Sequence, residues 1–177
     1  MVDGPGLRSS IYCAGCAHHC KGCHNPQTWD FFAGELMTTE QIMSRLLANP
    51  FDDVTFSGGD PMFQPEGFIE LAKAIRRQTN KTIWCYTGFN FEDLVYAQPG
   101  ENAQQHDESE ACGASASDGD SLRSAQRELL NYIDVLVDGK FVESQRDIHL
   151  RFRGSRNQRL IDVKQSLLQH HVVLWND

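Results

Sequence analysis

The feature that most restricts the fold of this chain is a strand, a glycine-containing turn and a helix that recur along it. Runs rich in β-branched, aromatic and apolar residues predict strands at 7–13, 53–57, 82–86 and 134–137. Apolar residues at helical spacing predict helices at 39–49, from residue 65 onward, at 91–97 and at 125–132. Because strands that alternate with helices favour a parallel sheet with right-handed crossovers, the predicted fold class is α/β.

The loops that follow parallel strands should emerge together at one edge of this sheet. They are the stretch 13–29 (CAGCAHHCKGCHNPQTW) and the turns 58–61 (GGDP), 87–89 (TGF) and 138–141 (DGKF). Proteins of the α/β class bind ligands at the carboxyl edge of the sheet. The sequence therefore predicts that these four segments form one site.

Length and composition restrict the domain organisation and the partners. A chain of 177 residues with 40% hydrophobic content is expected to form a single domain, 1–177. The segment 99–121, rich in Gly, Ser, Ala and acidic residues, is predicted to be a mobile acidic insertion. A formal net charge of -8 argues against a nucleic-acid partner, because an acidic surface repels phosphates.

The sequence also bears on location and on the state of the cysteines. It contains no apolar run of about 18 residues and no signal-like N-terminus, so we expect no membrane partner and a cytoplasmic location. In a reducing compartment disulfides are rare. Four cysteines lie in the short stretch 13–23, and this crowding favours a metal site over a disulfide framework.

The four cysteines allow two metal sites. Cys16, Cys20 and Cys23 form CxxxCxxC, with three thiolates and an open fourth position, whereas adding Cys13 gives four sulfurs for a tetrahedral zinc ion. We favour three ligands, because a three-residue gap leaves two zinc knuckles little room and Cys13 ends a strand, where it can pack as a small hydrophobe. Three thiolates suit a 4Fe-4S cluster with one iron free of protein.

Several segments of the chain resemble one family. CxxxCxxC after a first strand is similar to the signature of radical S-adenosylmethionine (radical SAM) enzymes. Within that superfamily, six segments resemble the activating proteins of anaerobic ribonucleoside-triphosphate reductase: DGPGLR, GCAHHCKGCHNPQTWD, FSGGDP, YTGF, DVLVDGKF and RGSRNQR. The resemblance implies a small partial (β/α) barrel of the radical SAM type, with an open, mostly parallel sheet.

The resemblance also implies a reaction and its partners. A 4Fe-4S cluster on Cys16, Cys20 and Cys23 would bind S-adenosyl-L-methionine at its fourth iron and cleave it reductively to methionine and a 5′-deoxyadenosyl radical. That radical would generate a glycyl radical on the reductase, with an electron donor such as a flavodoxin. The resemblance implies no catalytic residue beyond the cluster and the cofactor.

The same resemblance implies a set of residues that contact S-adenosylmethionine. Gly22, Cys23 and His24 match positions on the adenine side of the cofactor. The turn that follows the second strand matches the segment near the methionyl ammonium, and its residues are Ser57, Gly58, Gly59 and Asp60. Asp138 and Lys140 are placed to reach the ribose or the carboxylate. His18, His19 and Lys21 could favour the thiolates through positive charge, but we interpret them as solvated loop residues.

Other functions remain open from the sequence. CHNPQTWD also suits an activating enzyme of another glycyl radical enzyme, of the pyruvate formate-lyase type, although DVLVDGKF and RGSRNQR favour the reductase branch. An interaction module with a zinc ion on Cys13, Cys16, Cys20 and Cys23 is an alternative from a different class. Simple electron carriage is a third alternative, and it predicts no release of methionine.

Overall fold

The computed structural model of the protein describes residues 3–96 and 116–176. Within them, five strands form one sheet whose spatial order follows the chain: β1 (Arg8–Cys13), β2 (Asp53–Gly58), β3 (Ile83–Tyr86), β4 (Val135–Asp138) and β5 (Arg159–Asp162). Neighbours from β1 to β4 are parallel, and β5 is antiparallel to β4. The α/β class is confirmed, and β1–β4 agree closely with the predicted strands.

The helices also follow the predicted pattern. They are α1 (Thr39–Ala48), α2 (Pro65–Gln78), α3 (Phe91–Tyr96), α4 (Ala116–Leu130) and α5 (Val163–Gln169). A capping box starts α1: the Gln41 N–H donates to Thr38 Oγ1 at 3.3 Å, and the Thr38 N–H donates to Gln41 Oε1 at 2.8 Å. Pro65 begins α2, where its missing N–H costs no helical hydrogen bond.

The predicted insertion, 99–121, differs from the structure at its C-terminal end. Helix α4 begins at Ala116, so residues 116–121 are helical rather than part of a mobile loop. The rest of the insertion, 99–115, lies outside the described residues. Serine and acidic residues are common both in loops and in the first turn of a helix, so composition alone does not separate the two.

The sheet divides the core into two parts. Alternate strand residues such as Phe56, Cys85 and Leu136 pack against apolar faces of the helices and are fully buried. The opposite face carries a smaller cluster, made of Trp84, Val135, Val137, Phe152 and Leu160, with Trp175 packed against it. The helices therefore cover one face of the sheet, and the other face is closed by C-terminal segments.

The predicted open, mostly parallel sheet is confirmed, with one antiparallel strand, β5. The sheet is open in the part of the chain described, so closure into a partial barrel is not confirmed. The last strand also runs against the parallel direction. A parallel return normally needs a helical crossover, whereas the 139–158 connection contains no α-helix, only a short 3-10 turn at Glu143–Gln145.

The parallel register brings the predicted site loops to one edge. Cys13 pairs with Gly58 at the ends of β1 and β2. Tyr86 pairs with Val137 near the ends of β3 and β4. The cysteine loop and the turns after β2, β3 and β4 therefore leave the sheet at its carboxyl edge, as predicted. No helix within 3–96 and 116–176 is long and apolar enough to cross a membrane.

Candidate metal and cofactor site

The loop that carries the cysteines is closed by its own backbone. The Gly15 N–H donates to the Thr28 carbonyl at 2.8 Å, and the Cys16 N–H donates to the Trp29 carbonyl at 3.1 Å. The Asp60 N–H donates to the Gly15 carbonyl at 2.9 Å, which ties the loop to the turn after β2. We call residues 14–29 the cluster loop. Its start and end are held side by side, and the CxxxCxxC segment lies between them.

The three cysteines of CxxxCxxC are free thiols in different environments. Cys16 is buried, while Cys20 and Cys23 are half-buried. Burial raises the pKa of the Cys16 thiol to about 11, and the negative charge of Asp60 adds to this rise. Burial also raises the pKa of Cys20, against the opposing effects of the Phe141 amide and the Lys140 charge. A bound metal supplies the positive charge that stabilises such thiolates.

Cys13 lies apart from these three thiols in environment. It is the last residue of β1 and packs against the main core, beside residues such as Ile11. Burial raises the pKa of its thiol to about 12. Cys13 therefore behaves as a small core side chain, as interpreted from the sequence.

The turn after β2 is built for close approach to the end of β1. Gly58 has a φ of +103°, and a Cβ at this position would lie 2.5 Å from the Cys13 carbonyl oxygen. The next residue, Gly59, donates its N–H to the same carbonyl at 2.7 Å. Only glycine fits at Gly58, because the backbone of the neighbouring strand occupies the space of a side chain.

Asp60 is buried and saturated with hydrogen bonds. Its carboxylate accepts from the Met62 N–H at 2.9 Å, from the Thr87 hydroxyl at 2.9 Å and from the Gly88 N–H at 2.8 Å. A fourth bond, 2.9 Å long, joins it to His18 Nε2. The residue is 1% exposed. Its carboxylate thus holds three loops together, and a direct contact with a cofactor ammonium would have to displace one of these partners.

His18 differs from the solvated loop residue interpreted from the sequence. Its side chain is 4% exposed, and its ring packs against both Phe63 and Phe89, at centroid distances of 5.1 and 4.7 Å. Its Nδ1 atom is buried and has no hydrogen-bond partner. The ring is buried because Asp60 and two aromatic rings, all distant in sequence, surround it. His19 is exposed, as interpreted, with its ring edge against Trp29.

The turn after β4 meets the cluster loop, but Asp138 does not face open space. Asp138 is 1% exposed and accepts from the Phe91 N–H at 2.9 Å and from Arg159 Nε at 3.0 Å. Arg159 also bonds Glu92 at 2.9 Å. The carboxylate is therefore occupied by structural partners rather than free for a ribose. Lys140 is exposed, and its charge acts on Cys20.

The remaining predicted contacts lie on the surface of the cluster loop. Gly22 and His24 are exposed, and Cys23 accepts a hydrogen bond from the Asn25 N–H at 3.4 Å. Lys21 pairs with Glu143 at 3.3 Å, so the loop rests on the segment after β4. Ser57, at the end of β2, is 9% exposed. The structure thus brings all the predicted site segments together.

Sequence reasoning missed the polar groups that hold these segments in place. Thr87 and Gly88 are expected in the site only as part of the TGF turn, no ion pair between Glu92 and Arg159 is predicted, and His18 is interpreted as solvated. The TGF turn gave a partial signal, since it was expected at the same sheet edge. Nothing in the sequence near Asp138 indicated that Arg159 would bond it.

The donor set fits a cluster better than a single ion. Within the described ranges, no group of three or more His, Cys, Asp or Glu side chains is arranged to hold one metal ion. A zinc site needs four ligands, with sulfurs about 2.3 Å from the metal, whereas the fourth sulfur available here, that of Cys13, packs against the main core. An iron-sulfur cluster spreads its thiolates over several irons. Three free thiols on one loop fit such a group.

Comparison with known proteins agrees with this assignment. The family model described as a 4Fe-4S single cluster domain matches residues 2–161. A relative from Vibrio cholerae, named anaerobic ribonucleoside-triphosphate reductase-activating protein, is 34% identical and is aligned over 89% of each chain. A relative of the same name from Haemophilus influenzae is 32% identical over 89% of each chain. Another, from Enterobacteria phage T4, is 30% identical over 96% of this chain and 93% of its own.

Proposed function

We propose that this chain activates an anaerobic ribonucleoside-triphosphate reductase by generating a glycyl radical on it. The premise is its family: the chain belongs to the 4Fe-4S single cluster domain family and to the anaerobic ribonucleoside-triphosphate reductase-activating proteins. In this proposal Cys16, Cys20 and Cys23 hold a 4Fe-4S cluster, and S-adenosyl-L-methionine occupies the open iron. The observation that carries the proposal is that three free thiols lie on one closed loop, where Cys20 and Cys23 are close enough to act on the pKa of Cys16, while Cys13 packs against the main core.

The chemistry comes from the bound groups, and the chain supplies their positions. The cluster, when bound, delivers one electron that cleaves the carbon–sulfur bond of the sulfonium cofactor. The cluster loop presents the thiolates, and its closure at Gly15 and Cys16 fixes where the first of them lies. Gly58 and Gly59 let the GGDP turn pack directly against the end of β1 and the backbone of the cluster loop, which fixes the turn beside the proposed ligands.

The contacts with S-adenosylmethionine are part of the same proposal. We assign Gly22, Cys23 and His24 to the adenine side, and Ser57, Gly58 and Gly59 to the methionyl end. Lys140, exposed and close enough to influence Cys20, is suited to the cofactor carboxylate. Asp60 and Asp138 keep a place in the site as positioning groups, because internal donors already occupy their carboxylates.

The reductase needs a surface from which its glycine can reach the cluster. Beside the cluster loop, Phe32 is 95% exposed and Leu36 is 99% exposed. Phe31 anchors this segment through an edge contact with Phe63, at a centroid distance of 5.9 Å. Exposed apolar side chains next to a reactive centre suit docking of a protein substrate. We assign Phe32 and Leu36 to the reductase-facing surface.

The finer elements of the proposal rest on the family resemblance. We propose that the open sheet corresponds to the partial (β/α) barrel of radical SAM enzymes, that the electron donor is a flavodoxin-type protein, and that the chain works in the cytoplasm. The four cysteines crowded into residues 13–23 suit a reducing location, because an oxidising compartment favours disulfides.

Anaerobic reconstitution tests the proposal. The protein should bind iron and acid-labile sulfide and show visible absorbance that bleaches on reduction. It should release methionine from S-adenosylmethionine under a strong reductant and produce a glycyl radical signal, by electron paramagnetic resonance, on the reductase. A colourless protein with one zinc ion would refute it. A radical on pyruvate formate-lyase, with none on the reductase, would support the alternative activating enzyme instead.

A further inference from the structure

We propose that His18 is a positioning residue for the cluster: its bond to Asp60 fixes the spacer between Cys16 and Cys20 against the turns that follow β2 and β3. This inference rests on the proposed function, since it assumes that these two cysteines are cluster ligands. It assigns a role to a side chain that is neither a ligand nor a predicted cofactor contact.

The first step is the arrangement around Asp60. One carboxylate oxygen, Oδ2, bonds His18 Nε2 at 2.9 Å, the Thr87 hydroxyl at 2.9 Å and the Gly88 N–H at 2.8 Å. The other, Oδ1, accepts from the Met62 N–H at 2.9 Å. His18 is thus the side chain of the cluster loop that enters this buried network. Its bond links the loop to two other site turns at one point.

The second step is the fit of the His18 ring. The rings of Phe63 and Phe89 both pack against the His18 ring, and the contact with Phe89 is edge to face. A Cβ on Gly88 would lie 2.6 Å from His18 Nε2, so the turn after β3 leaves room for the ring only because it has glycine there. These contacts therefore hold the His18 ring in one position, and the backbone of the spacer around His18 is held with it.

The third step is the position of His18 in the chain. It lies in the middle of the three-residue spacer between Cys16 and Cys20, and the neighbouring residues Ala17 and His19 are exposed. The His18 side chain is therefore what ties the middle of the spacer to the protein. Residues that orient metal ligands typically change metal affinity or activity by about 10–100-fold when they are removed.

The fourth step concerns charge. Asp60 lies next to the cluster loop, because its N–H donates to the carbonyl of Gly15, the residue before Cys16, and its negative charge is compensated by four hydrogen bonds. Without the His18 donor, more of that charge acts on the cluster, and negative charge opposes the addition of an electron. Loss of the bond should therefore make the midpoint potential of the cluster more negative, an effect that a purely space-filling role would not produce.

The test compares three variants at one position in the reconstituted holoprotein. His18→Leu keeps the volume and removes the donor. His18→Gln retains an N–H that can reach Asp60, and His18→Asn is polar but too short. We measure the rate of iron loss to a chelator, the midpoint potential by redox titration, and KM and kcat for S-adenosylmethionine cleavage. His19→Asn, at the exposed neighbour, is the matched control.

The expected result separates the variants by their hydrogen bond. His18→Leu and His18→Asn should lose iron at least about tenfold faster than wild type and show a more negative potential. His18→Gln and His19→Asn should stay within about threefold of wild type. If the His18→Leu variant does not fold, the comparison of His18→Gln with His18→Asn tests the inference. Equal behaviour of Gln and Asn, or wild-type behaviour of Leu, would overturn the inference. Wild-type protein that binds no cluster would instead refute the proposed function.

Discussion

A methyl group added at Gly58 should destabilise the protein and loosen the cluster loop. A residue other than glycine at positive φ costs about 1–2 kcal/mol, and Gly58 has a φ of +103°. The new Cβ would also meet backbone atoms of Cys13, 2.5 Å away at the carbonyl oxygen. Backbone atoms of a strand cannot move away as a flexible side chain can, and overpacking of this kind costs about 1–3 kcal/mol. Gly58→Ala should therefore lower the free energy of unfolding by about 2–5 kcal/mol.

Thermal unfolding of the reduced, cluster-free protein measures this effect. For chains of this size 1 kcal/mol corresponds to about 2–4 °C, so the Tm of Gly58→Ala should fall by roughly 4–20 °C. Gly67→Ala is the matched control, because Gly67 lies within α2 and a Cβ there meets nothing within 4 Å. Alanine in an open helical position stabilises by about 0.5–1 kcal/mol, so Tm should rise by roughly 1–4 °C. Equal losses in both variants, or an unchanged Tm for Gly58→Ala, would refute the argument from close approach.

Three further predictions concern the ligands, Asp138 and the exposed apolar residues. Replacing any one of the proposed ligands Cys16, Cys20 and Cys23 with alanine should abolish iron binding in reconstitution. The Cys13→Ala variant should still bind iron. Asp138→Asn should lower the free energy of unfolding by about 1–3 kcal/mol, because the ion pair with Arg159 is lost, and it should leave KM for S-adenosylmethionine unchanged. A large rise in KM at wild-type stability would show instead that Asp138 contacts the cofactor. Phe32→Ser with Leu36→Ser should raise KM for the reductase about tenfold while cofactor cleavage without reductase stays unchanged, and wild-type glycyl radical kinetics would contradict that surface.

The elements that the sequence predicted well are those governed by local pattern. The short apolar and β-branched runs of β2 and β3 and the helical spacing of apolar residues in α2 each depend on residues close together in the chain. The convergence of the turns followed from the general rule for parallel strands. The direction of β5 was not predictable in this way, because it depends on how the helix-poor 139–158 connection crosses the end of the sheet.

The polar contacts of the site could not be predicted from local sequence patterns either, because they join residues that are distant in the chain. His18 meets Asp60 across 42 positions of the chain, and Arg159 meets Glu92 across 67. A histidine between two cysteines is expected to be solvated unless a distant carboxylate arrives to bury it. The sequence contained both groups but no pattern that pairs them.

The burial of two acidic side chains changes how the cofactor can be recognised. A carboxylate in a site is the obvious acceptor for an ammonium or a ribose hydroxyl, and Asp60 and Asp138 were assigned such contacts from the resemblance. Each already accepts several internal hydrogen bonds at 1% exposure, and leaving a buried donor unpaired costs about 1–3 kcal/mol. A cofactor that displaced these donors would lose about as much as it gained. The Gly59 and Asp60 N–H groups are themselves bonded to the Cys13 and Gly15 carbonyls. Recognition should therefore fall to backbone carbonyls of the GGDP turn and to the exposed Lys140, while the two carboxylates hold the loops in place.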